Sequence, residues 1–476
     1  MSVTVPCAAR QAWPEWIMAT LRPAATIGAR RALSPGLPDS LWLHRVSHTL
    51  EQLRAGALAG SSRISLNGAG LTALPSELFE PAIAQSLEIL DVSGNALETL
   101  PESLAALPRL RIVFASANRF TALPEVLGRC AQLEMVGFKS NQIQEVTAAA
   151  LPPRLRWLIL TDNALAQLPE ALGERPRLQK LALAGNRLRA LPQSLARARQ
   201  LELLRISANQ LEALPEGLLQ LPRLAWLACG GNPFSEAREQ AALASTPVQA
   251  RPWAALRLHE RLGEGASGVI QRVECEGQAL ALKLFKGEVT SDGWPHSEMA
   301  AWLAAGSHPG LIPVTGRLQD HPEGRAGLFM PLIPPSFRAL AGPPSLDSCT
   351  RDIYPEVLRL SPAALQRLAG TVAAALAQLH ERGISHGDLY AHNLLHGPGG
   401  QAYLGDFGAA SLFEPGTAQA LALQRLEVRA FGYLLEELLA RCEGEASAVW
   451  EALKQACLVE TPADRPLFAA IARALI

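Results

Sequence analysis

The chain has 476 residues, of which 49% are hydrophobic, and its 43 Lys and Arg residues nearly balance 44 Asp and Glu residues. This length exceeds what one ordinary core needs, so we expect two or three domains. The formal net charge of -1 gives no bulk electrostatic reason to bind nucleic acid or an anionic membrane. The chain has no run of about 18 apolar residues, so the sequence predicts no transmembrane helix.

The cysteines indicate the compartment. All seven are scattered along the chain, and no two of them form a C-x-x-C pair. An odd number at such spacing fits free thiols in a reducing compartment better than a disulfide framework or a zinc site. We therefore expect a cytoplasmic protein, with export as an effector as the alternative.

The first 60 residues precede the regular part of the chain. Residues 1–38 carry four arginines against one acid, Glu15, which faintly resembles a transit peptide, but they lack a continuous apolar stretch. We expect a poorly defined leader there, because chain ends are loose unless they are docked. Apolar residues then recur at near-helical spacing, which predicts a helical cap over 39–60 that covers the first unit of the following stack.

From Ile64 the sequence repeats itself. Asparagines between Asn95 and Asn232 follow one another at steps of 23, 23, 22, 23, 23 and 23 residues. One unit reads LEILDVSGNALETLPESLAALPR, which follows the L-x-x-L-x-L-x-x-N-x-L frame of leucine-rich repeats. We expect about eight such units over 61–245, each with one short strand and leucines that fill a shared core. The asparagines can bond neighbouring backbone groups, so we assign them a structural role.

The positions that the repeat frame leaves unassigned form the outward, concave face of the strands. One column reads Arg63, Ile89, Ile112, Met135, Trp157, Lys180, Leu203 and Trp226, and the next column adds Phe114 and Ile159. An apolar, partly aromatic patch on a solvent-facing sheet marks a partner site. We therefore expect a protein partner at Ile112, Phe114, Met135, Trp157, Ile159 and Trp226. The alternative is that a neighbouring segment, such as the N-terminal leader, covers this patch.

The pattern breaks at residues 246–255, TPVQARPWAA, where we expect an irregular linker that allows some reorientation. The stretch LGEGASGVI follows, with Gly263, Gly265 and Gly268 between apolar residues. Glycines at this spacing let a strand-turn-strand lie close over phosphates, because side chains would block the approach. The next apolar run, ALALKLF, contains Lys283.

The chemistry of the chain is concentrated between His386 and Gly408, HGDLYAHNLLHGPGGQAYLGDFG. Phosphoryl transfer needs a carboxylate that accepts the proton of a hydroxyl and oxygen ligands that hold magnesium against phosphates. Asp388, Asn393 and Asp406 can supply these groups. An aspartate before Phe-Gly is usually a turn residue on its own, but its combination with the glycine loop favours an active site.

Together these motifs resemble the signature set of protein kinases over residues 256–476. The resemblance implies a multidomain chain, in which an α/β leucine-rich-repeat solenoid precedes an α+β bilobal domain that uses ATP and Mg²⁺. It makes Asp388 the catalytic base, Lys283 and Glu298 an ion pair at the phosphates, and Asn393 and Asp406 the magnesium ligands. The nucleotide-binding residues that it implies are Gly263, Gly265, Ser267, Gly268, Ile270, Lys283, Met330 and Leu332.

The sequence departs from this family in several places. Gly387 stands where many kinases have an arginine, and Tyr390 stands where serine/threonine kinases usually place a lysine. Only 21 residues separate Asp406 from Glu427, which replaces the usual aspartate of its helix, and no Ala-Pro-Glu is present. The glutamate that usually pairs with Arg465 is therefore missing.

Three functions stay open at this point. The first is an ATP-dependent serine/threonine protein kinase whose repeats recognise a protein partner or substrate, of the soluble leucine-rich-repeat kinase family. The Ala-, Leu- and Arg-rich usage favours a bacterial source. The second is a small-molecule phosphotransferase, because HGDL without Ala-Pro-Glu also resembles aminoglycoside and choline kinases. The third is a pseudokinase scaffold, which would not need all five catalytic positions.

Overall fold

The computed structural model describes residues 48–246, 248–265, 267–287, 289–290, 292–444 and 447–475, without the side chain of residue 216. The leader predicted over 1–38 and the first part of the predicted cap lie outside these residues. The described part of the cap contains one helix, α1 (Leu50–Arg54), which begins at the capping box of Thr49 and Gln52.

The repeats form one parallel sheet. Its strands are β1 (Arg63–Ser65), β2 (Ile89–Asp91), β3 (Ile112–Phe114), β4 (Met135–Gly137), β5 (Trp157–Ile159), β6 (Lys180–Ala182), β7 (Leu203–Arg205) and β8 (Trp226–Ala228). They pair in chain order, and the register aligns Arg63 through Trp226 in a single row. The outward column predicted from the repeat frame is thereby confirmed.

The other side of the repeat stack consists of short helices. Between the strands lie α2 (Pro81–Ala84), α3 (Val126–Arg129) and several 3-10 turns, and after the last strand comes α4 (Pro233–Ser245). The frame leucines between these helices and the sheet are buried in one continuous core. This is the expected result when each unit closes the core of its neighbour.

The asparagine ladder is structural, as the sequence predicts. The side chain of Asn209 donates to the carbonyl groups of Leu183 and Ile206 at 3.0 and 3.1 Å, and it accepts from the amide of Leu188 at 3.1 Å. Two of these backbone groups, those of Leu183 and Leu188, belong to the preceding unit, and that of Ile206 belongs to the same unit as Asn209. The asparagine therefore satisfies polar groups that the curvature of the stack leaves unpaired.

The C-terminal half begins with a six-stranded sheet. Its strands are β9 (Gln249–Pro252), β10 (Leu256–Glu264), β11 (Gly268–Cys275), β12 (Gln278–Phe285), β13 (Gly316–Gln319) and β14 (Gly327–Pro331), in the order β10, β11, β12, β14, β13, β9. The first of these corrects the prediction of an irregular linker over 246–255, because β9 pairs with β13 along its whole length. Helix α5 (Pro295–Ala305) lies between this sheet and α4.

A mainly helical lobe follows. Its helices are α6 (Pro362–Glu381), α7 (Ala418–Leu439), α8 (Ala448–Leu458) and α9 (Phe468–Leu475), and its short strands are β15 (Arg338–Ala339), β16 (Ile384–Ser385), β17 (Leu394–His396), β18 (Ala402–Leu404) and β19 (Ser411–Leu412). The loop between β16 and β17 carries Asp388, and the loop between β18 and β19 carries Asp406. Among the described helices, none combines the length and apolar composition needed to cross a membrane.

The two halves share their hydrophobic cores. Phe413, Leu423 and Leu426 of the C-terminal half belong to the core of the repeats. Conversely, Trp226 and Ala242 of the repeat half belong to the core of the helical lobe. The halves are therefore packed as one body, because separating them would expose apolar surface on both.

We expect Asn209→Ala to lower the free energy of unfolding by about 2 kcal/mol, because it leaves buried backbone groups without partners. Urea unfolding followed by circular dichroism measures this loss. Gln210→Ala is the matched control, since it removes an amide from the neighbouring exposed position and should change stability little. Equal effects of the two changes would contradict a structural role for the ladder.

Candidate active site

A cavity between the two lobes of the C-terminal half contains most of the predicted nucleotide-binding residues. Gly265, Ser267, Gly268, Ile270, Lys283 and Met330 line it, together with Ala281, Thr290, Asp292, Trp302, Ile312, Pro331, Ile333, His392, Asn393, Leu395, Gly405, Asp406 and Gly408. Two predicted residues, Gly263 and Leu332, are not in its lining. Pro331 and Ile333 line the cavity instead of Leu332, because side chains alternate between the two faces of an extended segment.

The glycine loop lies against the strand that carries Lys283. A Cβ at Gly268 would stand 2.6 Å from the carbonyl oxygen of Leu284, so β11 could not approach β12 with a larger residue there. The ammonium group of Lys286 bonds the carbonyl oxygen of Gly265 at 3.0 Å. These contacts hold the loop over the mouth of the cavity.

Lys283 and Glu298 form the predicted ion pair. Lys283 lies on β12 and Glu298 in the first turn of α5, and their side chains are 9% and 1% exposed. Burial raises the pKa of Glu298, and the contact with Lys283 counteracts part of this shift. Trp302 faces the ammonium group at 5.5 Å from the ring centroid. A buried lysine needs such a carboxylate, so the pair fixes α5 against the sheet.

Glu427 of α7 supports the loop that carries Asp388 through hydrogen bonds to its backbone. The carboxylate of Glu427 accepts from the amides of His386 and Gly387 at 3.3 and 2.7 Å. The ring of His386 bonds the carbonyl group of Gly405 at 2.8 Å, which ties this loop to the one that carries Asp406. The longer glutamate side chain thus supports the loop where the sequence departs from the usual aspartate.

Asn393 and Asp406 are close enough to the predicted base to share one site. The amide nitrogen of Asn393 donates to the carbonyl oxygen and to the carboxylate of Asp388, both at 2.9 Å. Its other amide atom is an oxygen, and Asp406 presents its carboxylate to the same cavity. Two oxygen donors beside a phosphate site fit Mg²⁺, which takes one or two protein ligands and completes its shell with phosphates and water.

Comparisons with known proteins agree with this geometry. Residues 256–452 match the family model described as protein kinase domain. The chain carries a protein kinase domain. Residues 86–107 match the model described as Leucine Rich Repeat, so the kinase domain follows a repeat region.

One curated relative is a DNA damage-responsive serine/threonine-protein kinase, RqkA, from Deinococcus radiodurans. It is 30% identical over 164 residues, which are 32% of this chain and 22% of the relative. The chain therefore spans about a fifth of the length of that protein.

The repeats cover the catalytic loop of the kinase domain. Gly387 has a φ of 72°, and a Cβ there would stand 2.6 Å from the carbonyl oxygen of Leu227 in β8. The hydroxyl group of Ser411 accepts from the amide of Cys229 at 3.0 Å. A Cβ there would also stand 2.5 Å from the carbonyl oxygen of Ala409 in the kinase domain, so the positive φ and the close approach of both segments require the glycine that departs from the family pattern.

Arg205 of β7 reaches into the active site. Its guanidinium group forms an ion pair with Asp388, donates to the carbonyl group of Gly387 at 3.0 Å, and pairs with Asp292 at 3.0 Å. Burial alone would lower the pKa of Arg205, but the two carboxylates more than offset this and raise it. Burial would likewise raise the pKa of Asp388, but Arg205, together with His392 and His386, more than offsets this and lowers it.

Trp226 of β8 fixes the same loop by stacking. Its ring lies parallel to that of Tyr390, with centroids 4.4 Å apart and 6° between the planes, and it also stacks on Tyr433 at 5.4 Å. The indole nitrogen donates to the carbonyl group of Leu389 at 2.9 Å. Tyr390, which replaces the usual lysine, therefore serves as a packing surface for the repeats.

The structure places all six predicted partner-binding residues against or beside the kinase domain. Ile112, Met135 and Trp157 form a buried cluster with Cys349, and Phe114 and Ile159 pack beside them. Trp226 lies under Tyr390. The kinase domain itself thus occupies much of this face, whereas the sequence analysis named a neighbouring segment such as the N-terminal leader as the alternative cover.

A second, half-open cavity of about 390 Å³ remains between the repeats and the kinase domain. Its repeat wall includes Phe114, Lys139, Trp157, Ile159, Lys180 and Arg205, and its kinase wall includes Pro343, Leu346, Asp388 and Tyr390. It meets the nucleotide cavity at Asp292, His392, Asn393 and Asp406, which line both. A ligand here would have direct access to Asp388.

The sequence alone did not reveal the roles of Arg205, Asp292 and His392 in this site. His392 is held by Asp352, whose carboxylate bonds its ring nitrogen at 2.7 Å and its amide at 2.9 Å. Alternation along β12 could have identified Ala281, because it lies two residues before Lys283 on the same face. Arg205 and Asp292 gave no such signal, since their partners lie on distant segments.

We expect Trp226→Ala to loosen the catalytic loop, because truncating a buried tryptophan costs about 3 to 5 kcal/mol of packing. Hydrogen exchange of the amides between residues 386 and 395 should become at least about tenfold faster. Trp253→Ala is the control, since Trp253 packs on His321 instead of this loop. Unchanged exchange in the first variant would mean that the repeats do not hold the loop.

Proposed function

We propose that the protein is a serine/threonine protein kinase that transfers the γ-phosphoryl group of ATP to a hydroxyl group of a protein. The single observation that carries the proposal is the arrangement of five side chains at two adjoining cavities. Lys283, Asn393 and Asp406 line the nucleotide cavity, Glu298 pairs with Lys283, and Asp388, which is bonded to Asn393, lines the adjoining cavity. Each supplies a group that phosphoryl transfer needs, and a scaffold without catalysis would have no need to keep them in contact.

Each side chain has a distinct part in this reaction. Lys283, held by Glu298, neutralises charge on the phosphates of ATP. Asp388 orients the acceptor hydroxyl group and accepts its proton as the oxygen attacks phosphorus. Asn393 and Asp406 would hold Mg²⁺, which supplies charge neutralisation at the transferred phosphoryl group. The glycine loop, closed by Gly268, positions the nucleotide without blocking its phosphates.

We further propose that the repeats recognise the protein substrate on their concave face, within the cavity between the two halves. Phe114, Trp157 and Ile159 line that cavity, which also contains Asp388. Ile112, Met135 and Trp226 instead hold the kinase domain in place. A substrate segment bound along the repeats would therefore reach the base directly, which is the arrangement that gives proximity and orientation.

We propose a cytoplasmic location. No disulfide joins the six cysteines in the part of the chain that the structure describes. Burial raises the pKa of Cys130 and Cys229 to about 11 and that of Cys457 to about 12. Thiols of this kind behave as packing groups, which suits a reducing compartment.

The test is incubation of the purified protein with magnesium-ATP and a mixture of dephosphorylated casein and histone, followed by mass spectrometry of phosphosites. We expect phosphoserine or phosphothreonine with the wild type, and a loss of at least about 1,000-fold with Asp406→Ala or Lys283→Ala. Both changes replace groups of the phosphate site, so ATP turnover should fall with them. Removing magnesium with EDTA should abolish transfer.

Asp464→Asn is the matched control, because it neutralises an exposed aspartate outside both cavities. Full activity of Asp406→Ala would refute the site assignment. ATP hydrolysis without any phosphoprotein would favour a small-molecule acceptor, and absence of both ATP binding and hydrolysis would favour the scaffold.

A further inference from the structure

The cation that contacts the proposed base comes from the repeats and not from the catalytic loop. The loop sequence from His386 to Leu395, HGDLYAHNLL, contains neither lysine nor arginine. Arg205 of the repeats provides the positive charge instead, through contacts to Asp388, to the carbonyl group of Gly387 and to Asp292. The ion-pair partner of Asp388 thus comes from a segment 183 residues away in the sequence.

Residues of both halves hold the contact between Arg205 and Asp388 in place. Arg205 is only 5% exposed, so its charge depends on the two carboxylates that flank it. The next strand supplies Trp226, which is in register with Leu203 and bonds Leu389 of the same loop. Two adjacent strands, β7 and β8, therefore contact residues 387 to 390 through their side chains. The guanidinium group of Arg205 has little freedom to move.

This arrangement leaves the carboxylate of Asp388 accessible. Its side chain is 15% exposed, and it lines the 390 Å³ cavity that continues into the nucleotide cavity. Arg205 and Asn393 each bond one of its two oxygens. A carboxylate has about four acceptor positions, so a hydroxyl group that enters the cavity can still donate to it.

We propose that Arg205 is a positioning residue for Asp388, so that the repeats complete the active site of the kinase domain. This inference rests on the proposed function. In the reaction, the acceptor oxygen forms a bond to the γ-phosphorus of ATP, the bond from that phosphorus to ADP breaks, and the hydroxyl proton passes to the carboxylate. Arg205 holds that carboxylate toward the acceptor hydroxyl through one oxygen of Asp388, and its other nitrogens bond Gly387 and Asp292, so the planar guanidinium group is itself fixed in place.

The competing explanation of the same contacts is that the repeats inhibit the kinase domain by covering its active site. If the repeats only blocked the kinase domain, removing Arg205 would open the site and raise the rate. If Arg205 positions the base, removing it lowers the rate, because a misplacement of about 1 Å can cost about 100-fold. The sign of the effect decides between them.

The experiment measures steady-state phosphorylation of casein by the full-length chain with Arg205→Ala and Arg205→Lys. We expect kcat to fall by about 100-fold in Arg205→Ala, with KM for ATP within about twofold of the wild type, because the nucleotide cavity keeps its lining. Arg205→Lys should recover about tenfold of the loss, since it restores the charge without the fork. ATP binding by calorimetry verifies that each variant is folded.

Arg238→Ala is the matched control, because Arg238 also joins the two halves, through an exposed ion pair with Glu414, but lies outside both cavities. It should leave kcat unchanged. A wild-type or higher kcat in Arg205→Ala would overturn the inference, as would a rise in KM with kcat unchanged. If the wild type neither phosphorylates casein nor hydrolyses ATP, the proposed function fails, and the role of Arg205 falls with it.

Discussion

The stack of Trp226 on Tyr390 is the contact on which the arrangement of the two halves depends. It places the indole, which is 2% exposed, inside the core of the kinase domain, and it sets how closely β7 and β8 approach the catalytic loop. In this position Arg205 contacts Asp388. Since aromatic rings dominate the energy of such packing, we regard this stack as the point from which the polar contacts are organised.

The repeats also supply one of the hydrogen-bond partners of a buried polar group of the kinase domain. Arg465 is 2% exposed, and burial lowers its pKa to about 10. Carbonyl groups surround it instead of a carboxylate, and one of them is that of Pro222 in the repeats, at 2.7 Å. The repeat region is thus part of the polar interior of the kinase domain, since an unpaired buried guanidinium group is very costly.

Much of the fold could be predicted from the sequence, because it depends on residue spacings that recur within short stretches of the chain. The 23-residue spacing of Asn186 and Asn209 predicts which residues of neighbouring strands pair in the sheet. Pairs defined by a known motif, such as Lys283 and Glu298, were also foreseen. The role of Arg205 could not be predicted, because its contacts depend on how the repeats and the kinase domain pack together. No residue spacing within either half carries that information.

The register between the sheet and the catalytic loop restricts the length of the array. In most solenoids a unit can be gained or lost at small cost, because each unit contacts only its neighbours. Here one extra unit between β7 and β8 would move Arg205 one strand spacing, about 4.8 Å, away from Trp226. Both residues could not then reach Asp388 and Leu389 together. The last two repeats are therefore fixed in number, and the units of β3, β4 and β5 are constrained as well, because Ile112, Met135 and Trp157 pack against Cys349 of the kinase domain.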